Sequence, residues 1–338
     1  MELNLTNPAG NEIRNLAGAD IDVDLGDTND FVVTISARDW QGDVEKNCRV
    51  FQPGTEYGGL VGGIGTDTSE DAVMVKGYTW RGLLDKKIVE PPAGQDYRVV
   101  SGELHTIMKS LVEPEFPELM RVSVVNTEVS VSSYQFPRYC TLLDGLSRLL
   151  SSVGYRLKIC YVQQEQGMRG YVEISAVPVV DYSDQIELSS DSRLDYTAET
   201  TWNGVNHLIC LGSGELKERI VLHLYVQEDN SIGKTQYYAG IDEIAEIYEN
   251  TNAEAEDLEE GGRDRLEKLM GKQVFKMDVA ALGMEVDIGD IVGGRDYITG
   301  IYIKKPISGK IWKYKDGEES LEYKIEGEEY ESSNSTAE

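Results

Sequence analysis

Histidines are the residues best suited to acid–base or metal chemistry, and this chain has three: His105, His207 and His223. None belongs to an HExxH motif, and no two have metal-ligand spacing. His207 and His223 lie in segments that predict strands, so we interpret both as structural. His105 lies on a predicted helix, where we expect it at the polar edge. The histidine pattern therefore predicts no metal site.

Four cysteines are the candidate nucleophiles: Cys48, Cys140, Cys160 and Cys210. No two of them form a CxxC motif, and no local histidine supports a nucleophile pair. Cys160 and Cys210 lie in the apolar runs LKICYV and HLICLG, as small core residues do. We expect free, mostly buried thiols in a protein made in a reducing cytoplasm.

Two further patterns resemble ligand-binding loops but lack essential residues. The run GGLVGGIG (58–65) has neither the lysine nor the following helix of a phosphate-binding loop, so we interpret its glycines as hairpin turns. The run DIGD (287–290) lacks the DxDxDG spacing of a calcium loop and indicates a strand-to-turn transition. GxSxG, P-loop and Rossmann motifs are absent from the sequence. We therefore predict no catalytic, cofactor-binding or metal-binding residue.

Charge excludes other classes of function. The 338 residues include 60 acidic and 32 basic side chains, which gives a net charge of −28. Such a surface repels nucleic acid and anionic membranes, so a DNA-reading role is disfavoured. The N-terminus MELNLTNPAGNEI lacks the features of a secretory signal, and no apolar run is long enough to span a bilayer. We expect no membrane partner.

Local patterns predict a β-rich first region, residues 1–92. It ends with a short helix or turn at Tyr78–Glu90 (apolar Trp80, Leu83, Leu84, Ile88) before Pro91-Pro92, which we interpret as a domain boundary. The predicted strands are Asn29–Ile35, Arg49–Phe51, Tyr57–Val61 and Ala72–Val75.

The remaining segments alternate between α+β and β character. Residues 95–185 contain helix patterns at Ser101–Val112, where Ser101 is the expected cap, and at Thr141–Val153, followed by the strand pair Tyr155–Val162 and Gly170–Val177. Residues 240–270 predict two helices with a break at Gly261-Gly262, and the acidic run 254–260 predicts a solvated face. Later strands are predicted at Ile186–Leu188, Leu194–Ala198, Asn206–Leu211, Arg219–Val226, Gln273–Val279, Ile291–Val292, Tyr297–Lys304, Gly309–Tyr314 and Ser320–Ile325.

Four stretches in order resemble a family of siphophage and prophage tail proteins from Gram-positive hosts, a family similar to the baseplate hub of contractile-tail phages. The first stretch is Gly77–Pro91 and the second is Asn203–Tyr225. The third is Gly240–Leu258, and the fourth is Val286–Ile301 with Ile307–Tyr314. Together they span nearly the whole chain.

The resemblance implies an α+β, β-rich fold with two antiparallel β-barrel-like domains. The first barrel is expected at 1–92. An α+β domain is expected at 95–185, outside the ring of barrels that three copies of such a subunit would form. The second barrel is expected at 186–238 and 274–328, interrupted by a helical insertion at 239–273. A flexible tail is expected at 329–338.

The expected structural residues lie within the four stretches. Trp80 and Leu83 are interpreted as anchors at the end of the first barrel, beside Arg81 and Gly82. The other candidates are Gly212, Gly214, Gly289 and Asp290. These glycines permit tight turns, and the Asp290 carboxylate is expected to bond neighbouring turn amides.

The resemblance also implies partners and a location. Three copies are expected to form a ring at the virion tail tip, assembled in the bacterial cytoplasm, with a distal tail ring, a tape measure and a tail fibre or spike as neighbours. Three chains would carry about −84, three times the −28 of one chain, so DNA would pass through an acidic channel without binding.

We therefore expect a non-enzymatic structural subunit with no cofactor. A tail-tip cell-wall hydrolase or peptidase is an open alternative, although the chain ends soon after the fourth stretch and leaves little room for such a domain. A receptor-binding tail protein that recognises a glycan is the other alternative, which the 19 tyrosines permit.

Overall fold

The structure is a computed structural model that describes residues 3–164, 169–183, 196–271, 273–277, 285–296, 298–315 and 317–326. The predicted strand Ile186–Leu188 and the predicted tail 329–338 lie outside the described residues. The described chain forms two units, here called unit 1 (1–194, 278–294 and 304–326) and unit 2 (195–277, 295–303 and 327–338).

Strands dominate the described chain, as the sequence predicted. The α-helices are α1 (Trp80–Asp85), α2 (Leu104–Val112), α3 (Leu142–Ser151) and α4 (Ala255–Leu269). The first strands are β1 (Asn4–Thr6), β2 (Glu12–Asn15), β3 (Asp20–Leu25), β4 (Asp30–Ser36), β5 (Arg49–Phe51), β6 (Gly58–Asp67), β7 (Ala72–Thr79), β8 (Val99–Glu103), β9 (Met120–Val122) and β10 (Ser130–Gln135). The later strands are β11 (Tyr155–Val162), β12 (Tyr171–Pro178), β13 (Tyr196–Thr200), β14 (His207–Leu211), β15 (Val221–Val226), β16 (Ile232–Gly233), β17 (Ala245–Glu249), β18 (Gln273–Met277), β19 (Ile291–Arg295), β20 (Tyr302–Lys315) and β21 (Glu318–Ile325).

The largest sheet has ten strands in the order β19-β20-β3-β4-β7-β6-β5-β1-β2, with β21 also paired to β20. Alternation in β4 buries Phe31, Val33 and Ile35 on one face, which is the period-2 pattern of a half-buried strand. Within the described residues the end strands β19 and β2 are not paired with each other. The sheet is therefore open there, and the described residues contain no closed form of the predicted barrel-like domains.

The C-terminal strands do not belong to the barrel that the sequence predicted for them. Residues Lys310–Tyr314 of β20 pair antiparallel with Ile21–Leu25 of β3. The predicted second barrel, 186–238 with 274–328, is therefore wrong in its membership. Alternation identifies a strand but not its partner, because pairing between distant segments depends on the whole core.

Glycines at 58–65 were predicted to form turns, but they lie inside strand β6. A Cβ atom at Gly59 would lie 2.0 Å from the carbonyl oxygen of Tyr78, and one at Gly77 would lie 1.9 Å from that of Leu60. The register also shifts between Val61 and Gly63, as at a β-bulge. These glycines permit close approach between β6 and β7, so the turn interpretation is wrong.

The α+β segment shares a core with the first region and is not a separate domain. Helices α2 and α3 and the sheet β11-β12-β9 pack in one apolar cluster with Phe51, Trp80 and Leu84. The backbone of Leu142 also donates to the carbonyl of Lys87 at 2.7 Å. The predicted boundary at Pro91-Pro92 therefore does not separate two cores.

Two details of this segment differ from the predictions. Helix α2 is capped by Glu103, whose carboxylate accepts from the Thr106 amide at 2.8 Å, rather than by Ser101. His105 is buried, with Nδ1 2.5 Å from the Val125 carbonyl oxygen, and its Nε2 accepts from the Ala176 amide at 2.8 Å. The ring joins three backbone segments, so placement at the polar edge was wrong.

Glu103 gives unit 1 a stabilising contribution that depends on pH. Its second carboxylate oxygen accepts from the amide and the hydroxyl of Thr127 at 3.0 and 2.7 Å. Burial alone raises the pKa of Glu103, but the bonds from Thr127, Thr106 and His105 outweigh it and lower the pKa to about 2. The contribution is therefore present above the unfolded-state pKa of about 4.3 and is lost as pH falls through about 2.

We expect Glu103→Gln to lower the free energy of unfolding by about 1 kcal/mol at pH 7, since one amide nitrogen must face an N–H or O–H donor. The deficit should shrink as pH falls from about 4.3 towards about 2. Urea unfolding at a series of pH values measures it, with the exposed Glu90→Gln as the control. An equal deficit at pH 7 and pH 2.5 would contradict this account.

Unit 2 contains a four-stranded sheet, β16-β15-β14-β17, covered by α4, and a separate pair, β13-β18. The first of the two helices predicted in 240–270 is wrong at its start, because Ala245–Glu249 forms strand β17, parallel to β14. The alternating sequence AEIYE suits a strand, and the edge of β14 supplies its backbone partners. Ile241, Ile244 and Ile247 recur every three residues, and this spacing is the reason that a helix was predicted for the segment.

Helix α4 continues through Gly261-Gly262, where a break was predicted. A Cβ atom at Gly262 would lie 2.6 Å from the sulfur of Cys210, in the core between helix and sheet. One at Gly261 would lie 2.6 Å from the terminal hydroxyl of the half-buried Tyr248. Gly262 therefore permits close packing of the helix on the sheet.

These neighbouring glycines should respond in opposite directions to alanine. We expect Gly262→Ala to lower the free energy of unfolding by about 1–3 kcal/mol, because its methyl group overpacks the core. We expect Gly261→Ala to raise it by about 0.5–1 kcal/mol, because the Tyr248 side chain can move while the helix gains propensity. Urea unfolding of the pair makes each variant the control for the other, and equal effects would contradict this packing.

The helices in the described part of the chain include none that is both long and apolar enough to cross a membrane.

Candidate functional site

The four stretches meet in two groups, one in each unit. In unit 1, the first stretch and the fourth approach the same strand, β11, through charged side chains. In unit 2, the second stretch packs against the third through β14 and its following loop. Each group is described from its residues upward.

Helix α1 is fixed by its first turn. The hydroxyl of Thr79 accepts from the Gly82 amide at 3.2 Å and donates to the Asn29 carbonyl at 2.9 Å. The buried Trp80 ring stacks 5.6 Å from the Tyr161 ring, which in turn stacks 3.7 Å from Phe51. Trp80 therefore joins the end of β7 to strand β11 of the α+β segment.

Gly82 and Leu83 complete the packing of α1. A Cβ atom at Gly82 would lie 2.2 Å from the carbonyl oxygen of Asn29, so only glycine fits at this point of the helix. Leu83 is half-buried against the same core as Trp80. These two positions explain why the short helix can lie directly on the turn before β4.

Arg81 points into the protein and is almost fully buried. Its guanidinium pairs with the carboxylate of Glu56, and its Nη2 donates to the Leu157 carbonyl at 3.3 Å. A buried cation requires such partners, because its transfer out of water is costly. Arg81 therefore contributes a second link between α1 and β11.

Asp290 is 1% exposed and accepts three hydrogen bonds. Its Oδ1 accepts from Arg156 Nε at 2.7 Å and from the Val180 amide at 2.9 Å, and its Oδ2 accepts from the Asp287 amide at 2.9 Å. The bond to a neighbouring turn amide that the sequence predicted is present. Gly289 has φ of +96°, and a Cβ atom there would lie 2.9 Å from Cβ of Arg156.

Asp287 extends this arrangement, and we call Arg156, Asp287, Asp290 and Lys310 the Asp290 cluster. Asp287 lies 2.5 Å from Lys310 Nζ and 3.1 Å from Arg156 Nη2. Burial raises the pKa of Asp287, but the Lys310 ammonium and the Arg156 guanidinium more than offset this and hold it below its ordinary value. The carboxylates of DIGD are thus neutralised by the chain itself.

In unit 2, Gly212 and Gly214 shape the loop after β14. A Cβ atom at Gly212 would lie 2.9 Å from both the Ala253 carbonyl oxygen and Leu258 Cδ2. Gly214 has φ of +97°, and a Cβ atom there would lie 2.5 Å from the carbonyl oxygen of Glu218. The predicted tight connection is therefore a nine-residue loop, 212–220, that packs against the start of α4.

Two polar residues in unit 2 were not singled out as functional candidates from the sequence. The Asn206 amide group donates to the Asp242 carbonyl at 2.6 Å and accepts from the Ile244 amide at 2.9 Å, which fixes the start of β17. His207 lies 2.6 Å from Glu243 Oε1 and 2.8 Å from His223 Nδ1. The sequence does contain a signal for Asn206: an asparagine directly before a predicted strand, two residues after a glycine, is typical of a side chain that bonds to a turn backbone.

The chemistry of both groups is that of packing and charge pairing. In the described ranges, no group of three or more His, Cys, Asp or Glu side chains could hold a metal ion. The four cysteines are free thiols, as the sequence predicted, and burial raises the pKa of Cys210 to about 11. A thiol with such a pKa is a poor nucleophile at neutral pH.

Comparison with known proteins shows similarity at the level of the fold. No model of a known family matches the sequence, and no curated protein matches it. The 43 kDa tail protein of prophage MuSo2 from Shewanella oneidensis has a TM-score of 0.51 at 14% identity, covering 96% of this chain and 98% of that protein.

Two other solved structures show the same extent of alignment. A tail protein from Neisseria meningitidis aligns over 96% of both chains, with 13% identity and a TM-score of 0.46. The prophage tail protein gp18 from Listeria monocytogenes aligns over 96% of this chain and 94% of its own, with 10% identity and a TM-score of 0.49. The predicted Gram-positive host stays a prediction.

Proposed function

We propose that this chain is a structural, non-enzymatic subunit of a phage or prophage tail tip, where three copies form a baseplate hub ring around the DNA channel. The observation that carries the proposal is the fold shared with the MuSo2 tail protein over 96% of this chain and 98% of that one. Because nearly all of both chains aligns, the proposal draws on the fold over the full aligned length.

The positions of the structural residues in the four stretches support a scaffold role. Within unit 1, each of four residues contacts a distant segment: Trp80, Gly82, Gly289 and Asp290. Within unit 2, Gly212 contacts the segment at the start of α4. An active site requires reactive groups that substrate can reach, whereas Trp80 and Asp290 are buried and Asp290 is paired. We expect the surrounding tail proteins, namely a distal tail ring, a tape measure and a fibre or spike, to bind the outer surface of the ring.

Locating the chain in particles tests this proposal. A bacterium that carries the encoding prophage would be induced with an affinity tag on the chain, and the particles would be examined by electron microscopy with a gold-labelled tag ligand. We expect gold at the tail end farthest from the head, with an untagged strain as the control. Label on the cytoplasmic fraction alone, or lysis of purified cell walls by the protein, would overturn the proposal.

A further inference from the structure

Unit 2 contains an open cavity of about 480 Å³ that the proposed hub function does not use. Its walls come from the end of β13, the loop before β14 and the segment before β17, so the second and third stretches both contribute. Its volume lies in the range of small-molecule sites. The lining residues are Thr200, Thr201, Trp202, Asn203, Gly204, Val205, Asn206, Val226, Asn230, Tyr238, Ile241, Asp242, Ile244 and Gly271.

Trp202 is the most unusual residue of this cavity. It is 86% exposed, whereas Trp80 and Trp312 are almost completely buried. Ile241, which also lines the cavity, is 98% exposed. An indole ring left in water at the mouth of a cavity offers a flat apolar face to a ligand.

Polar groups of the lining are available for hydrogen bonding. The exposed side chains of Asn203, Asn230 and Asp242 make no hydrogen bond within the part of the chain that the structure describes. A ligand rich in hydroxyl groups would satisfy both the donors and the acceptors of this set.

The charge of the lining restricts the ligand further. None of the lining residues is Lys, Arg or His, and Asp242 is the charged one. The chain as a whole carries −28, so phosphates, nucleotides and acidic sugars would be repelled. An uncharged ligand with an apolar face and many hydroxyl groups fits this chemistry.

Two glycines hold the cavity floor in place. A Cβ atom at Gly204 would lie 2.0 Å from the Gly271 amide nitrogen, and one at Gly271 would lie 2.5 Å from the Thr201 carbonyl oxygen. The loop after β13 and residue 271 therefore touch through their backbones. Asn206, which is bonded to the 242–244 backbone, fixes the opposite wall, so the cavity exists before any ligand binds.

We propose that this cavity binds a neutral saccharide, with one sugar ring stacked on Trp202. The hydroxyl groups of the sugar bond to the side chains of Asn203, Asn230 and Asp242. Tyr238 and Ile241 supply the remaining apolar contact. Such a site lies within one chain and needs no ring assembly. Its test is therefore independent of the test of the proposed hub.

Tryptophan emission provides the direct test. The protein would be titrated with chitotetraose and maltotetraose, and applied to an array of neutral hexose and N-acetylhexosamine glycans. Sialyllactose serves as the acidic control. We expect a neutral saccharide to shift the emission to shorter wavelength and to protect Trp202 from acrylamide, with no effect of sialyllactose.

Variants separate the site from general surface effects. We expect Trp202→Ala to weaken saccharide binding at least about tenfold and Asn203→Ala to weaken it about fivefold. Leu216→Ala is the matched control, because Leu216 is 93% exposed in the same unit and does not line the cavity. It should bind as the unaltered protein does.

Three results would overturn the proposal. The first is the absence of binding to every neutral glycan tested. The second is saccharide binding that Trp202→Ala leaves unchanged. The third is a change in the solution mass of the protein caused by Trp202→Ala without a change in saccharide binding, which would make this face a protein contact.

Discussion

Replacing Asp290 by asparagine is expected to lower the free energy of unfolding of unit 1 by about 3 kcal/mol. Both carboxylate oxygens accept from N–H donors, so in either orientation the new amide nitrogen faces a donor. Arg156 also loses a charged partner at 2.7 Å, although Asp287 remains 3.1 Å away. Because the Arg156–Asp287 pair remains, the expected cost is at the lower end of the range of about 3–5 kcal/mol for breaking a buried ion pair.

The matched control is Asp22→Asn. Asp22 pairs with Lys313 at 2.9 Å, and both side chains are 49% exposed, so we expect a cost below about 1 kcal/mol. Urea unfolding followed by the emission of the buried Trp80 and Trp312 measures both variants in unit 1. If the two substitutions cost the same, the Asp290 cluster is not the charged link between the fourth stretch and β11 described above.

Replacing Trp80 by alanine is the second large effect, with an expected loss of about 3–5 kcal/mol. The ring is fully buried and stacks with Tyr161, so its removal leaves a cavity between β7 and β11. The emission of Trp40 and Trp312 still reports unfolding of unit 1. Trp202→Ala, which removes the same side chain from an exposed position, should change stability by less than about 0.5 kcal/mol.

A loss below about 1 kcal/mol for Trp80→Ala would contradict the role of Trp80 as the anchor of α1. An unchanged stability together with a changed near-ultraviolet spectrum would point to repacking around Tyr161. Because unit 1 and unit 2 need not unfold together, Trp80→Ala is also measured in the Trp202→Ala background, where every remaining tryptophan lies in unit 1.

Local elements with strong patterns were predicted well from the sequence. Helix α3 begins after its Thr141 cap and ends before Gly154, as the leucine stripe and the glycine indicated. Strands β5 and β11 have the predicted bounds. These elements follow from periodicity and capping, which depend on residues close together in the chain.

Long-range pairing could not be predicted in the same way. The antiparallel pairing of β20 with β3 joins segments nearly 290 residues apart in the chain, and no local pattern encodes that choice. Strand β17 was missed because Asn206 and the edge of β14 supply its partners, which overrides a helical spacing. Gly59 was predicted to form a turn and Gly262 to break a helix. Each instead permits the close approach of another segment, which a sequence does not show.

The candidate site was predicted in part. Trp80, Gly82, Gly289 and Asp290 were singled out as structural residues, and the structure places each of them against another segment. Arg156 and Lys310 were missed, because single basic residues in strands give no signal of their own. Asp287 was noticed only as a possible calcium ligand, since its partners come from two distant strands.

The copy number of the assembled protein tests the central claim most directly. Native mass spectrometry of the purified chain over a range of concentrations, with electron microscopy of the same samples, would measure it. The account predicts a species with the mass of three chains that forms rings with a central opening. A protein that stays monomeric at every concentration, forms no rings and is absent from purified tails would contradict it.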